Sequence, residues 1–395
     1  MTELTFPRKR TCPFSPPPEY ADLRAETPVT RVRLFGRSVW AATRHEDIRA
    51  MLTDPRFSSD RNHPNFPFQQ RITEDMKPIR ISLIGMDPPQ HGPARRAVVG
   101  EFTVKRLREL RPRIQQIVDE HIDAMLAGPR PVDLVSALSL PIPSLVICEL
   151  LGVPYADHDF FQARSGRLLN RAVEADERLR SRDELIEYLG KLVTEKIREP
   201  GQDLLSRQIH KQRDEGDIDE ENLVELAFLL LVAGHETTAN MISLSTVALL
   251  QHPESLAKIK ADPDQTLPAV EELLRYFTIA EFANARVATE DVELGGVLIR
   301  EGEGVLALSS TANRDPEVFP EPDTLDIERG SRNHIAFGYG PHQCLGQNLA
   351  RLELQIVIDT LFSRIPDLRI VPELEEIPFK YDGQVFGVYE LPVTW

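Results

Sequence analysis

Cys344 stands in a glycine-rich decapeptide, Phe337-Gly338-Tyr339-Gly340-Pro341-His342-Gln343-Cys344-Leu345-Gly346. A helix is predicted from Leu345 onward, where Leu349, Leu352, Ile356, Val357 and Leu361 recur every three to four residues. A sulfur at a helix N-terminus faces unpaired N–H groups and the positive end of the dipole, and both favour thiolate over thiol. Gly338, Gly340 and Gly346 permit sharp turns and a close approach by a large flat partner. A thiolate held this way, with Phe337 beside it, suits a single axial bond to haem iron. There it would push electron density onto the metal and favour O–O cleavage. The plain alternative is a buried, inert cysteine.

Two further constellations could do related chemistry. Asp87-Pro88-Pro89 signals a helix start, and His91 and Arg95, four apart, then share one helix face. That donor pair suits an anionic group such as a haem propionate, or is simply a solvated basic face. The second is Ala233-Gly234-His235-Glu236-Thr237-Thr238, inside a long apolar helix. Burying Glu and Thr mid-helix is costly unless they are bonded. A Thr hydroxyl can bond back to a carbonyl one turn earlier and locally open the helix, and Gly234 weakens the same turn and admits a flat partner. An acid beside an alcohol suits proton delivery to iron-bound dioxygen; a polar kink is the other possibility.

Together these stretches resemble the haem-thiolate monooxygenases, the cytochrome P450 family. Phe337, Gly340, Cys344 and Gly346 match the family's ligand loop, and Ala233 to Thr237 match its oxygen-activation motif. The resemblance spans essentially the whole chain, with the motifs in order. It implies haem b with Cys344 as the axial ligand to the iron, Phe337 and Gly346 beside it, and His91, Arg95, Arg286 and His342 on the propionates. Glu236 would be the acid and Thr237 the alcohol of the proton relay. Glu272, Arg275 and Arg329 would form a structural ion network. Phe66, Phe68, Ile84, Leu230, Ala233, Ile279, Ala283, Asn284 and Phe386 would line the substrate pocket. Pro341 departs from the pattern and is expected to stiffen the ligand loop and modestly shift iron potential or donor docking.

The implied fold is mainly α with a smaller β-rich region (α+β), a triangular prism with a long central helix over the haem. The expected organisation is one domain over 1–395, with β-rich parts at about 20–60 and 280–310 plus C-terminal strands. The phrases Glu101-Phe102-Thr103-Val104-Lys105-Arg106, Gly152 to His158 and Glu390 to Trp395 resemble an actinomycete group acting on secondary metabolites, macrolides or other polyketides, and drug-like apolar compounds. The implied reaction inserts one atom of O2 as a hydroxyl, with electrons from a separate ferredoxin and ferredoxin reductase. Two other functions stay open: peroxygenase or non-hydroxylating haem-thiolate chemistry, and a haem- or ligand-binding sensor without turnover.

The totals agree. A net charge of −16 argues against nucleic acid as a partner. Three scattered cysteines, Cys12, Cys148 and Cys344, cannot build a disulfide framework, so a reducing, cytoplasmic setting is expected. No Cys-x-x-Cys pair suggests zinc. No apolar run approaches the roughly 20 residues of a membrane span, and a monomer is expected.

The positioning elements can be read in outline. Val29–Leu34 and Ser38–Ala42 flank Gly36 as a hairpin, and His45–Leu52 is a short helix. Residues 60 to 86 read as a loop packed on the core, or as a lid over an apolar pocket. Lys105, Arg106, Arg108, Arg111 and Arg113 form either a solvated face or a docking patch for an acidic electron donor. Helices are predicted over Ile114–Met125, Pro141–Leu151, Asp159–Asn170 and Asp183–Arg198, the last two around an Arg-rich link. The central helix runs from about Asp219 to Gln251, with Asp217 and Glu220 as a capping box, and is apolar on most faces from Leu226 to Val232. Leu267–Phe277 is helical, and Gly383 to Gly387 forms a turn that the family dips into its pocket.

Overall fold

The computed structural model describes residues 4–67, 83–169, 173–381 and 385–395. It is mainly helical with a smaller sheet, as expected. The chain forms two compact units, Met1–Arg95 with Glu271–Leu345, and Arg96–Val270 with Gly346–Trp395. Each is assembled from two separate stretches of chain.

The first unit is built on a six-stranded sheet in the order Leu4–Phe6, Val29–Leu34, Arg37–Ala42, Gly304–Ala307, Ala285–Ala288, Phe57–Ser58. The predicted hairpin is there, with Val32 opposite Val39 and Arg31 opposite Trp40. Alternation along it serves two cores: Val39 and Ala41 join one apolar cluster, Trp40 and Ala42 the other. That is the period of two expected of a strand buried on both faces. The sheet places Arg286 on Ala285–Ala288, while Asn284 just precedes that strand.

The second unit centres on the helix Glu220–Gln251. Its cap is Asp219, whose side chain accepts from the Asn222 N–H at 2.9 Å, so the cap lies two residues after the expected Asp217. The helix packs on Pro141–Leu151, Ala175–Arg198 and Gln347–Arg364. Gly234 does admit a close neighbour, but that neighbour is a helix: a Cβ there would lie 2.6 Å from Ile147 Cδ1. Pro141–Leu151 ends as expected, with Gly152 left-handed at φ +67°.

The helix expected from Asp183 begins at Ala175. Its first turns carry few apolar residues, and Leu179 is exposed, so the apolar period does not reveal them. No described helix is long and apolar enough to cross a membrane.

His235 is a fully buried consequence of this packing. Its Nδ1 pairs with Ser165 Oγ at 2.9 Å, and Nε2 has no hydrogen-bond partner among the described residues. Burial first, then His158 and Lys380, push its pKa down to about 4, against the carbonyl of Leu140. The unfolded chain takes up a proton near pH 6.5 that the folded ring refuses, so stability falls as pH drops from about 6.5 to 4. His235→Gln is expected to remove about 3 kcal/mol of that acid-dependent loss. Urea unfolding of both proteins at pH 7 and pH 4.5 checks it; parallel pH slopes would refute it.

Candidate active site

In the first unit the Cys344 loop is a closed turn. The Cys344 N–H donates to the Phe337 carbonyl at 2.8 Å, Gln343 N–H to Gly340 at 3.0 Å, and Gly338 N–H to Ile335 at 2.9 Å. Two of its glycines are required. Gly338 and Gly340 have φ of +69° and +72°, and a Cβ on Gly340 would stand 2.7 Å from the Leu52 carbonyl. Pro341 sits at the second position of the short turn Gly340–His342, where its fixed φ is tolerated. Cys344 is exposed and in no disulfide. The helix Gln347–Arg364 follows, with Gly346 at its N-cap.

Beside the loop lies a buried cationic cluster. The His91 and His342 rings stack with centroids 4.0 Å apart, and His342 Nε2 pairs with Ser59 Oγ at 3.1 Å. Arg95 reaches the Gln343 carbonyl, and Arg286 donates to the Ala285 carbonyl at 2.7 Å. Burial, then Arg286, His91, Arg95 and Arg61, push His342 down to about 3. Burial and Arg61 push Arg286 down to about 10, with Asp87 opposing. Asp87 is already engaged by Ser58 and by the Ser59 N–H at 2.7 Å. His91 Nε2 and Arg61 Nε are buried without hydrogen-bond partners among the described residues.

Three arginines, Arg61, Arg95 and Arg286, gathered around two neutral histidines call for an anion. The two carboxylates of a haem fit it, with the nearby thiol as a metal ligand. Arg61 was not anticipated. It follows Asp60 in a loop with no periodic signal, and only its burial marks it.

In the second unit Glu236 and Thr237 occupy consecutive positions of the central helix. The Thr237 hydroxyl donates to the Ala233 carbonyl at 2.8 Å, yet the helix continues unbroken. Glu236 Oε1 accepts from Lys380 Nζ at 2.9 Å, and its Oε2 is buried without a partner among the described residues.

Glu272, Arg275 and Arg329 meet in the first unit. Arg275 grips Glu272 at 2.7 and 2.8 Å, and Arg329 Nε lies 3.2 Å from it. Burial pushes the Glu272 carboxyl up, but Arg275, Ser331 and the Asp326 N–H outweigh this and hold it below its usual range.

The expected pocket residues divide. Ala233 and Ala283 are exposed, Ile279 and Asn284 half-buried, and Ile84 is 39% exposed. Phe66 is 3% exposed and packs in the sheet core with Phe6, Tyr20 and Leu34. Phe386 is 6% exposed, and its ring stacks on Phe379 with centroids 6.0 Å apart. Leu230 is likewise buried. A phenylalanine ring gains most by burying both faces, and Phe66, Phe386 and Leu230 all lie in packed interior. Phe68, Gly383 and Gln384 lie outside the described residues.

The basic stretch on Val104–Ala127 is partly neutralised: Arg113 pairs with Glu149 at 2.6 Å, and Arg106 with Glu101 and Glu109. Lys105, Arg108 and Arg111 remain exposed.

Residues 158–366 match the family model "Cytochrome P450". Cytochrome P450-SOY of Streptomyces griseus is 52% identical over 392 residues, 99% of this chain and 95% of its own. Pentalenic acid synthase of Streptomyces avermitilis is 52% identical over 393 residues, covering 99% and 97%. The crystal structure of cytochrome P450 MoxA from Nonomuraea recticatena superposes with a TM-score of 0.93 at 57% identity, covering 99% and 98%. Motifs, fold and relatives agree that this chain belongs to the cytochrome P450 family.

Proposed function

We propose that this monooxygenase hydroxylates an apolar secondary metabolite, a macrolide or other polyketide or a drug-like compound, with electrons from a ferredoxin and its reductase. Family membership makes the chain an oxidoreductase whose cofactor is haem b and whose cosubstrates are O2 and an apolar compound. The name of pentalenic acid synthase among its relatives supports a biosynthetic substrate. Cys344 would ligate the iron as thiolate, and His91, Arg95, Arg286 and His342 would hold the propionates. Bound haem supplies the oxygen-activating metal. The exposed Lys105, Arg108 and Arg111 offer an acidic donor a landing point. Three cysteines without a disulfide suit work in the cytoplasm.

One observation carries the relay: an acid with a bare oxygen next to a threonine whose hydroxyl proton is already committed. Donation to Ala233 leaves Thr237 Oγ1 as an acceptor, able to orient a water or a hydroxyl-bearing group. Glu236 Oε2 can then take a proton from solvent and pass it on.

The test is Glu236→Gln and Thr237→Ala in the loaded enzyme, with an apolar compound chosen by spin-state shift and a ferredoxin donor. Product formation is expected to fall on the order of 100-fold, with Thr237→Ala diverting electrons to hydrogen peroxide. Unchanged product yield in both variants, with peroxide alone supporting wild-type turnover, would favour the peroxygenase alternative.

A further inference from the structure

Lys380 follows Glu236 by 144 residues, yet its ammonium lies 2.9 Å from Glu236 Oε1. The two side chains are 11% and 12% exposed. Lys380 is itself well held. Its N–H donates to the Gly387 carbonyl at 2.7 Å, Phe379 bridges Val388, and its Nζ sits 5.5 Å from the Tyr389 ring centroid. Gly387 packs so tightly that a Cβ there would collide with Asn240, one turn beyond Glu236. The C-terminal segment therefore touches the central helix at two successive turns, and one of those contacts is the acid itself.

A lone glutamate on a helix samples several rotamers. An ion pair through one oxygen selects one rotamer and fixes where the other oxygen stands. Here the paired oxygen is Oε1, and the bare one is Oε2. A lysine placed only for stability would need no such division, since a carboxylate can offer both oxygens to donors.

We propose that Lys380 is a positioning residue for proton delivery, holding Glu236 through Oε1 so that Oε2 carries the proton, and tying that acid to the C-terminal segment that bears Phe386. This rests on the relay proposed above. Any shift of that segment changes the Lys380–Glu236 distance, which links the segment's packing to the yield of product per electron.

The test uses the full-length loaded enzyme with Lys380→Met, Lys380→Arg, Glu236→Gln and the double variant Lys380→Met with Glu236→Gln. Three quantities are read: O2 consumption with a plant-type ferredoxin and its reductase, the solvent deuterium isotope effect on that rate, and the melting temperature. The apolar compound giving the largest spin-state shift serves as probe. Lys380→Met is expected to slow O2 consumption about 10-fold and raise the isotope effect, and Lys380→Arg to restore most of both. The double variant is expected to be no slower than Glu236→Gln alone, and to melt above the sum of the two single losses, because no buried charge is left unpaired. If Lys380→Met lowers only the melting temperature, Lys380 is structural and the proposal fails while the relay stands. If Glu236→Gln alters neither rate nor isotope effect, the relay fails and the proposal with it.

Discussion

Arg275→Met is expected to destabilise the protein by about 3–5 kcal/mol, the cost of leaving a buried carboxylate without its partner. Arg275 and Glu272 side chains are both 0% exposed. The guanidinium also donates to the carbonyls of Asn313 at 2.7 Å, Pro322 at 2.8 Å and Thr324 at 3.3 Å, so five hydrogen bonds go with one side chain. An exposed pair at the same spacing would be worth under about 1 kcal/mol.

The consequence reaches the Cys344 loop. Arg275 holds the Asn313 carbonyl, Asn313 Oδ1 accepts from the Ile335 N–H at 2.8 Å, and the Ile335 carbonyl accepts from Gly338. Arg275→Met should therefore weaken haem retention as well as stability. Replacing both partners, Glu272→Met with Arg275→Met, is expected to cost less than the sum of the single changes, since no charge is stranded. Urea unfolding of the three variants decides it. A loss below about 1 kcal/mol for Arg275→Met would mean the pair contributes no more than a surface contact.

How much of this was legible beforehand follows from where the contacts lie in the chain. The ligand loop, the central helix and the Gly152 stop are local: turn chemistry, apolar period and a left-handed glycine announce them in consecutive residues. Glu272 and Arg275 are three apart on one helix, so the spacing shows their pairing; only the resemblance implies their burial, because that depends on segments some 40 to 60 residues away that reach over them. Lys380 is the clearest loss. A lysine in a C-terminal coil carries no pattern, and only the fold brings it to Glu236.

Phe66, in a proline-rich loop, and Phe386, between Val385 and Gly387, carry no periodic signal, so each looks the same in sequence whether it faces ligand or core. The basic stretch shows its charges in sequence but not which of them are paired. Of the carboxylates that neutralise part of it, Glu101 lies just before it and Glu109 within it, while Glu149 lies 36 residues beyond Arg113. The sensor alternative falls with family membership; the substrate's identity lies in side chains that the motifs do not touch.

Every role assigned to the haem pocket rests on Cys344 as the iron's thiolate. The expected consequence is large: Cys344→Ala removes the sole sulfur in a loop shaped around it. The deciding measurement is the carbon monoxide difference spectrum of the reduced protein, wild type against Cys344→Ala, at equal haem content. A red-shifted thiolate band is expected in the wild type and none in the variant, because thiolate donation is what moves the band. The same red-shifted band in both proteins would show that another residue ligates the iron, and would contradict every role assigned around Cys344.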